Sequence, residues 1–155
     1  MPYRRSLGRV SNRTWEDFNE EIHRAENEHL MEGIVAACAF VAYADGRVTE
    51  DERTRMLRLI RGFEPIAAFG LDDVTTTFAS MTAWFETDQK AGEQAALHAI
   101  TKLKSKPRYS TLLVEACCAI AAADGEFDTE ERLAVIRICT TLGLKPESFG
   151  LPGAR

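Results

Sequence analysis

The chain of 155 residues carries little excess charge and no long hydrophobic run. Its 19 Lys and Arg against 24 Asp and Glu leave a formal charge of −5. Nucleic acid is therefore not expected as a partner, because phosphate contacts need a basic face. No apolar stretch approaches the roughly 18 residues of a membrane span, and the N-terminus lacks the apolar core of a secretory signal. We expect a cytoplasmic protein with at most peripheral membrane contact.

Recognisable catalytic motifs are also missing. Neither a glycine-rich phosphate loop nor a nucleophile elbow occurs. The four cysteines form no C-x-x-C pair, and no histidine stands at zinc-ligand spacing. The cysteines lie instead in apolar helical stretches, which is typical of reduced thiols packed in a core; they are Cys38, Cys117, Cys118 and Cys139. These absences argue against an enzyme.

What the chain does contain is an internal repeat. Residues 35–58 align with residues 114–137 at a constant offset of 79, without a gap, and ten of the 24 positions are identical. A repeat in fixed register indicates a duplicated helical hairpin. We therefore expect any special chemistry at the loops that the two copies share.

Each copy centres on an aspartate–glycine turn, followed by a glutamate seven positions after the aspartate. That gap matches the second half of an EF-hand calcium loop, although the leading ligands of a standard EF-hand are absent. The alternative is structural, since the glycines suit helix C-termini and the glutamates complete capping boxes with Thr49 and Asp128. Each aspartate then lies at the negative end of a helix, where an Asx-turn or a bound cation would offset the cost. The residues concerned are Asp45, Gly46, Glu52, Asp124, Gly125 and Glu131.

Periodicity predicts an all-α single domain of about seven helices, built from two pseudo-twofold repeated hairpins, because no window alternates as a strand does. Residues 1–13 hold four arginines and no acid, which predicts a flexible basic tail before a helical domain over 14–151. The expected helices include one capped by Thr14 and running toward Glu26, a separate buried one over Leu30–Ala44, one capped by Asp72 or Asp73, and one capped by Asp88.

The same residues resemble the TerB family of tellurite-resistance proteins. The resemblance rests on Leu30-Met31-Glu32-Gly33 leading into 35–39, on both aspartate–glycine turns, and on Leu142-Gly143-Leu144-x-Pro146-x-x-Phe149. It covers about residues 14–151. Membership would imply a cytoplasmic, all-helical, non-enzymatic module of a stress-response system whose other members include the membrane protein TerC and the calcium-binding protein TerD.

The family's acidic cluster, regarded as a divalent-metal site, carries over to Asp45, Glu52, Asp124 and Glu131. Because these ligands offer oxygen, calcium or magnesium is expected rather than zinc or copper. Arg47 follows the first turn and Glu126 the second, which makes the second turn the better candidate. Two alternatives stay open: a structural adaptor that binds partner proteins without metal, and a thiol-dependent protein that reduces tellurite.

Overall fold

The computed structural model describes residues 15–63, 66, 68–123, 125 and 127–151, and side chains from residue 24 onward except that of residue 25. This part of the chain forms six α-helices and a terminal 3₁₀ turn, with no strand. They are α1 (Trp15–Ala42), α2 (Glu50–Gly62), α3 (Leu71–Thr87), α4 (Gln89–Thr101), α5 (Pro107–Ala123), α6 (Thr129–Leu142) and the turn Pro146–Phe149. The all-α prediction is confirmed, with six helices described rather than about seven.

The first helix differs from the prediction at one boundary. Two helices were predicted, ending near Glu26 and starting at Leu30, whereas α1 is a single helix of 28 residues. No glycine or proline separates the two segments, so nothing interrupts the backbone hydrogen bonds. The change from polar to apolar sequence marks instead the point at which α1 enters the core, since from Leu30 to Ala42 every residue is buried except the half-buried Glu32 and Ala42. The predicted cap Thr14 and the tail at 1–13 lie outside the described residues.

The start of α3 also differs from the prediction. Gly70, with φ of 91°, occupies the N-cap position and makes no side-chain cap hydrogen bond. Asp72 and Asp73, one of which was expected to cap this helix, lie within its first turn, where their charges still favour the helix dipole. The predicted cap of α4 is confirmed, because the Asp88 carboxylate accepts the Ala91 N–H at 3.0 Å.

The two repeat helices, α1 and α5, pack side by side and run in the same direction. Three contacts along their length show this register: Lys106 Nζ lies 3.0 Å from Glu26 Oε1, Gly33 faces Leu113, and the Cys38 side chain lies beside that of Cys117. In each of these three contacts the two residues are 79 or 80 positions apart. Because the helices are parallel and in register, the turns that follow them lie at the same end of the bundle.

Three further segments meet at that end. The Tyr43 hydroxyl reaches Glu86 near the end of α3, the Gln89 side chain at the start of α4 reaches the Tyr43 carbonyl, and Ala44 shares a groove with Glu130 at the start of α6. We call residues 43–52, 86–93 and 127–131 the acidic end. These stretches hold ten carboxylates and two cations, so their formal charge is more negative than that of the whole chain.

Candidate functional site

The first aspartate–glycine turn is closed by its own backbone and side chain. Gly46 has φ of 87°, a conformation that glycine adopts without strain, and its N–H donates to the Tyr43 carbonyl at 2.8 Å. The Asp45 carboxylate accepts the Arg47 N–H at 3.2 Å, which is the Asx-turn hydrogen bond that offsets a negative charge at a helix C-terminus. Asp45 therefore has a structural role, and the side chain remains exposed.

Both glutamates of the repeat complete capping boxes, as the structural alternative predicted. The Thr49 N–H donates to Glu52 Oε1 at 2.9 Å, and the Asp128 N–H donates to Glu131 Oε1 at 3.0 Å. In each box the N-cap side chain accepts the glutamate's N–H in return. The backbone N–H and hydroxyl of Thr49 hold the pKa of Glu52 below its ordinary value.

The first turn is anchored to the body of the protein through Tyr43. Its ring stacks on Phe85 with centroids 4.7 Å apart, its hydroxyl donates to Glu86 Oε2 at 2.6 Å, and Gln89 Nε2 donates to its carbonyl at 2.9 Å. Burial, followed by the hydrogen bond to Glu86, raises the pKa of Tyr43 to about 12. The position equivalent to Tyr43 in the second repeat is Ala122, which is exposed.

Sequence reasoning missed this anchor, because Glu86 and Gln89 stand more than 40 positions away from Tyr43. One signal was available. The repeats differ at this position, with tyrosine in the first copy and alanine in the second, and a bulky residue in only one copy points to a contact that the other copy lacks.

The described carboxylates do not assemble into a metal centre. Among the side chains that the structure describes, which begin at residue 24, no three from His, Cys, Asp or Glu come together in a way that could hold an ion. Of the four predicted ligands, Asp45, Glu52 and Glu131 each accept a backbone N–H of their own turn. Asp124, like Glu126, lies outside the described residues. Metal binding by this set stays a prediction.

The cysteine thiols lack the features of reactive ones. Cys38, Cys117 and Cys139 are buried and Cys118 is half-buried. The hydrogen bond with Cys38, followed by burial, raises the pKa of Cys117, and burial raises the pKa of Cys139 to about 11. A reactive thiol needs exposure and a lowered pKa, so the geometry favours core packing over thiol chemistry.

An apolar groove adjoins the acidic end. It encloses about 200 Å³ between the C-terminal part of α1, α4 and the first turns of α6. Phe40 forms its floor, with the Arg137 guanidinium 5.5 Å from the ring centroid, and Arg137 Nη1 lies 3.7 Å from Glu93 Oε1. Leu133 stands at the rim and is 58% exposed.

Comparison with known proteins identifies the family. The family model described as tellurite resistance protein TerB matches residues 31–151, which is most of the chain and includes both turns. The chain belongs to the TerB family.

A curated relative is similar over a shorter stretch. The tellurium resistance protein TerB of Alcaligenes sp is 28% identical over 97 residues, which cover 63% of this chain and 80% of that protein. No solved structure is a significant match. Within the described residues of this TerB-family chain, no helix is both long and apolar enough to cross a membrane.

Proposed function

We propose that the chain is a non-enzymatic module of a tellurite-resistance system, and that its acidic end is the surface through which it contacts a partner protein. Family membership supports the association with tellurite resistance. The observation that carries the proposal is the in-register packing of α1 and α5, which places both repeated turns at one end of the bundle. Ten carboxylates gathered there make this end the natural contact surface.

Several of these carboxylates are not needed to hold the fold. Glu52 and Glu131 close capping boxes, whereas Glu50, Asp51 and Glu130 lie exposed in the first turns of α2 and α6. Exposed charges of one sign speed the encounter with a partner of the opposite sign and fix its orientation. The acidic end therefore suits a partner with a basic surface.

A TerC-type membrane protein fits this requirement. Cytoplasmic loops of membrane proteins carry an excess of Lys and Arg within about 15–20 residues of the membrane-spanning helices. Such loops would complement the acidic end and hold the module beneath the membrane without a span of its own. This assignment depends on the partner that the TerB resemblance implies.

The test is tellurite resistance in a host whose own copy has been replaced. We expect the variant Glu50→Gln, Asp51→Asn, Glu130→Gln to lower resistance. A matched control removes three exposed charges elsewhere through Glu28→Gln, Asp72→Asn and Glu115→Gln and should keep resistance. Thermal melts check that both variants are folded. The variant of Glu50, Asp51 and Glu130 should be, because each first-turn acid stabilises its helix by only about 0.3–1 kcal/mol. Equal resistance in the two variants would refute the proposal.

A hard divalent cation is the second candidate for the same end. The parallel packing of α1 and α5 favours it, because Asp45 of the first turn and Gly125 of the second then lie at one end, and calcium and magnesium take several oxygen ligands. Titration calorimetry with calcium and with magnesium separates the candidates. Saturating heat that disappears in the variant Asp45→Asn, Asp124→Asn would assign a cation, and the absence of heat would leave partner contact as the role of this end.

A further inference from the structure

The groove beside the acidic end carries an exposed leucine that the fold does not require. Leu133 lies on the outer side of α6 and is 58% exposed. The equivalent position in the first repeat, on α2, is the exposed Thr54. The same place in a duplicated hairpin therefore accepts a polar residue, and burial in the core does not account for leucine in the second copy.

The groove is the right size for a side chain. Its volume of about 200 Å³ falls below the roughly 300–1,000 Å³ of pockets that hold small molecules. A cavity of about 150 Å³ lined by apolar side chains holds a benzene ring, so one leucine, isoleucine or phenylalanine side chain would fill this space. Its floor is the buried Phe40, and its open side is bordered by Leu133.

Charge around the groove selects the kind of segment that carries this side chain. Arg137 is matched by Glu93, 3.7 Å away, which leaves Glu130 as the acid at the rim. A second groove with an exposed leucine has the opposite sign, because Leu71, 42% exposed, is accompanied by Arg58 and Arg61. A basic segment is thus attracted to the groove at Leu133 and repelled from the groove at Leu71.

We propose that the groove at Leu133 docks a basic, amphipathic segment of a partner protein. One apolar side chain of that segment packs between Phe40 and Leu133, and a neighbouring Lys or Arg pairs with Glu130. This inference rests on the proposed function, since it names the part of the partner that meets the acidic end. It adds an apolar contact, which charge complementarity alone would not supply.

The first experiment uses a defined probe. A helical peptide of leucine and lysine, with leucines at i, i+3, i+4 and i+7, is titrated into ¹⁵N-labelled protein. We expect saturable amide shifts centred on Phe40, Leu133 and Arg137. Leu133→Thr, which introduces the residue found in the other repeat, should weaken binding about tenfold, as loss of one buried leucine contact implies. The matched variant Leu71→Thr should bind as the parent does.

Three results would overturn the docking site. One is a set of shifts spread over the acidic first turn of α2, with affinity unaffected by Leu133→Thr, because that pattern reports charge alone. Another is equal binding of a leucine–glutamate peptide of the same spacing. The third is a dimer, detected by sedimentation, that Leu133→Thr dissociates, because a second copy of the chain would then cover the groove.

Tellurite resistance separates this inference from the proposed function. Leu133→Thr changes no charge, so a loss of resistance that Leu71→Thr does not show supports the docking site. If the charge-neutralised variant of Glu50, Asp51 and Glu130 loses resistance while Leu133→Thr keeps it, the docking site is wrong and the acidic contact surface stands. If both variants keep resistance, both ideas are wrong.

Discussion

The close approach of α3 and α4 makes Gly92 the most sensitive glycine for a test of the packing. A Cβ added at Gly92 would lie 2.4 Å from Phe85 Cγ and 2.7 Å from Phe85 Cα, against about 3.5–4.0 Å for a normal carbon contact. Because one of these atoms belongs to the backbone, rotation of the Phe85 side chain cannot relieve the clash. Gly92→Ala therefore forces the two helices apart.

The expected cost follows from two opposing effects. Overpacking of a core costs about 1–3 kcal/mol, and the backbone contact places Gly92→Ala near the upper value. The higher helix propensity of alanine offsets about 1 kcal/mol of this. A net loss of about 2 kcal/mol lowers the melting temperature of a domain of this size by about 4–8 °C.

Thermal denaturation followed by circular dichroism measures the effect, and Gly62→Ala is the matched control. Gly62 also lies in a helix, but no atom lies within 4 Å of an added Cβ. The melting temperature of the Gly62→Ala protein should therefore stay the same as that of the parent or rise. The Gly46 amide should shift in Gly92→Ala, because Phe85 supports the Tyr43 ring beside the first turn. A Gly92→Ala protein as stable as the parent would show that α3 and α4 do not pack as described.

Three further predictions concern the caps, the tyrosine and the thiols. Thr49→Ala should cost about 1 kcal/mol of unfolding free energy at pH 7. The lowered pKa of Glu52 stabilises the fold above its ordinary value of 4.5, and this stabilisation is lost as pH falls through the folded pKa. Urea unfolding at pH 3 should therefore show a smaller difference between parent and variant. Tyr43→Phe should remove the ionisation at a pKa of about 12 from an ultraviolet titration. The parent should lose stability as pH rises from 10 to that value, because its unfolded form ionises first, and the variant should lack this loss. At neutral pH, loss of the hydrogen bond to Glu86 should cost about 0.5–1.5 kcal/mol. A thiol reagent at neutral pH should modify the half-buried Cys118 first and the other cysteines only on unfolding. Rapid modification of all four would instead support a thiol-dependent function.

Local sequence determined much of this protein. The capping boxes at Thr49 and Asp128, the left-handed Gly46 and the cap at Asp88 were all predicted correctly, because each depends on hydrogen bonds between residues two to four positions apart. The prediction of two separate helices, one running toward Glu26 and one starting at Leu30, was wrong for a related reason. Change in polarity along a helix reports its surroundings, and only a residue that disrupts backbone hydrogen bonding ends it.

Tertiary structure alone decided how these parts combine. The sequence shows a repeat at an offset of 79, but helices so related can pack in either direction or lie apart. The contacts at Glu26, Gly33 and Cys38 show that they are parallel and in register, and this gathers the acidic turns at one end. The exposure of Leu133 likewise depends on which face of α6 its neighbours cover. Periodicity identifies the apolar positions of a helix, whereas burial depends on side chains that arrive from distant parts of the chain.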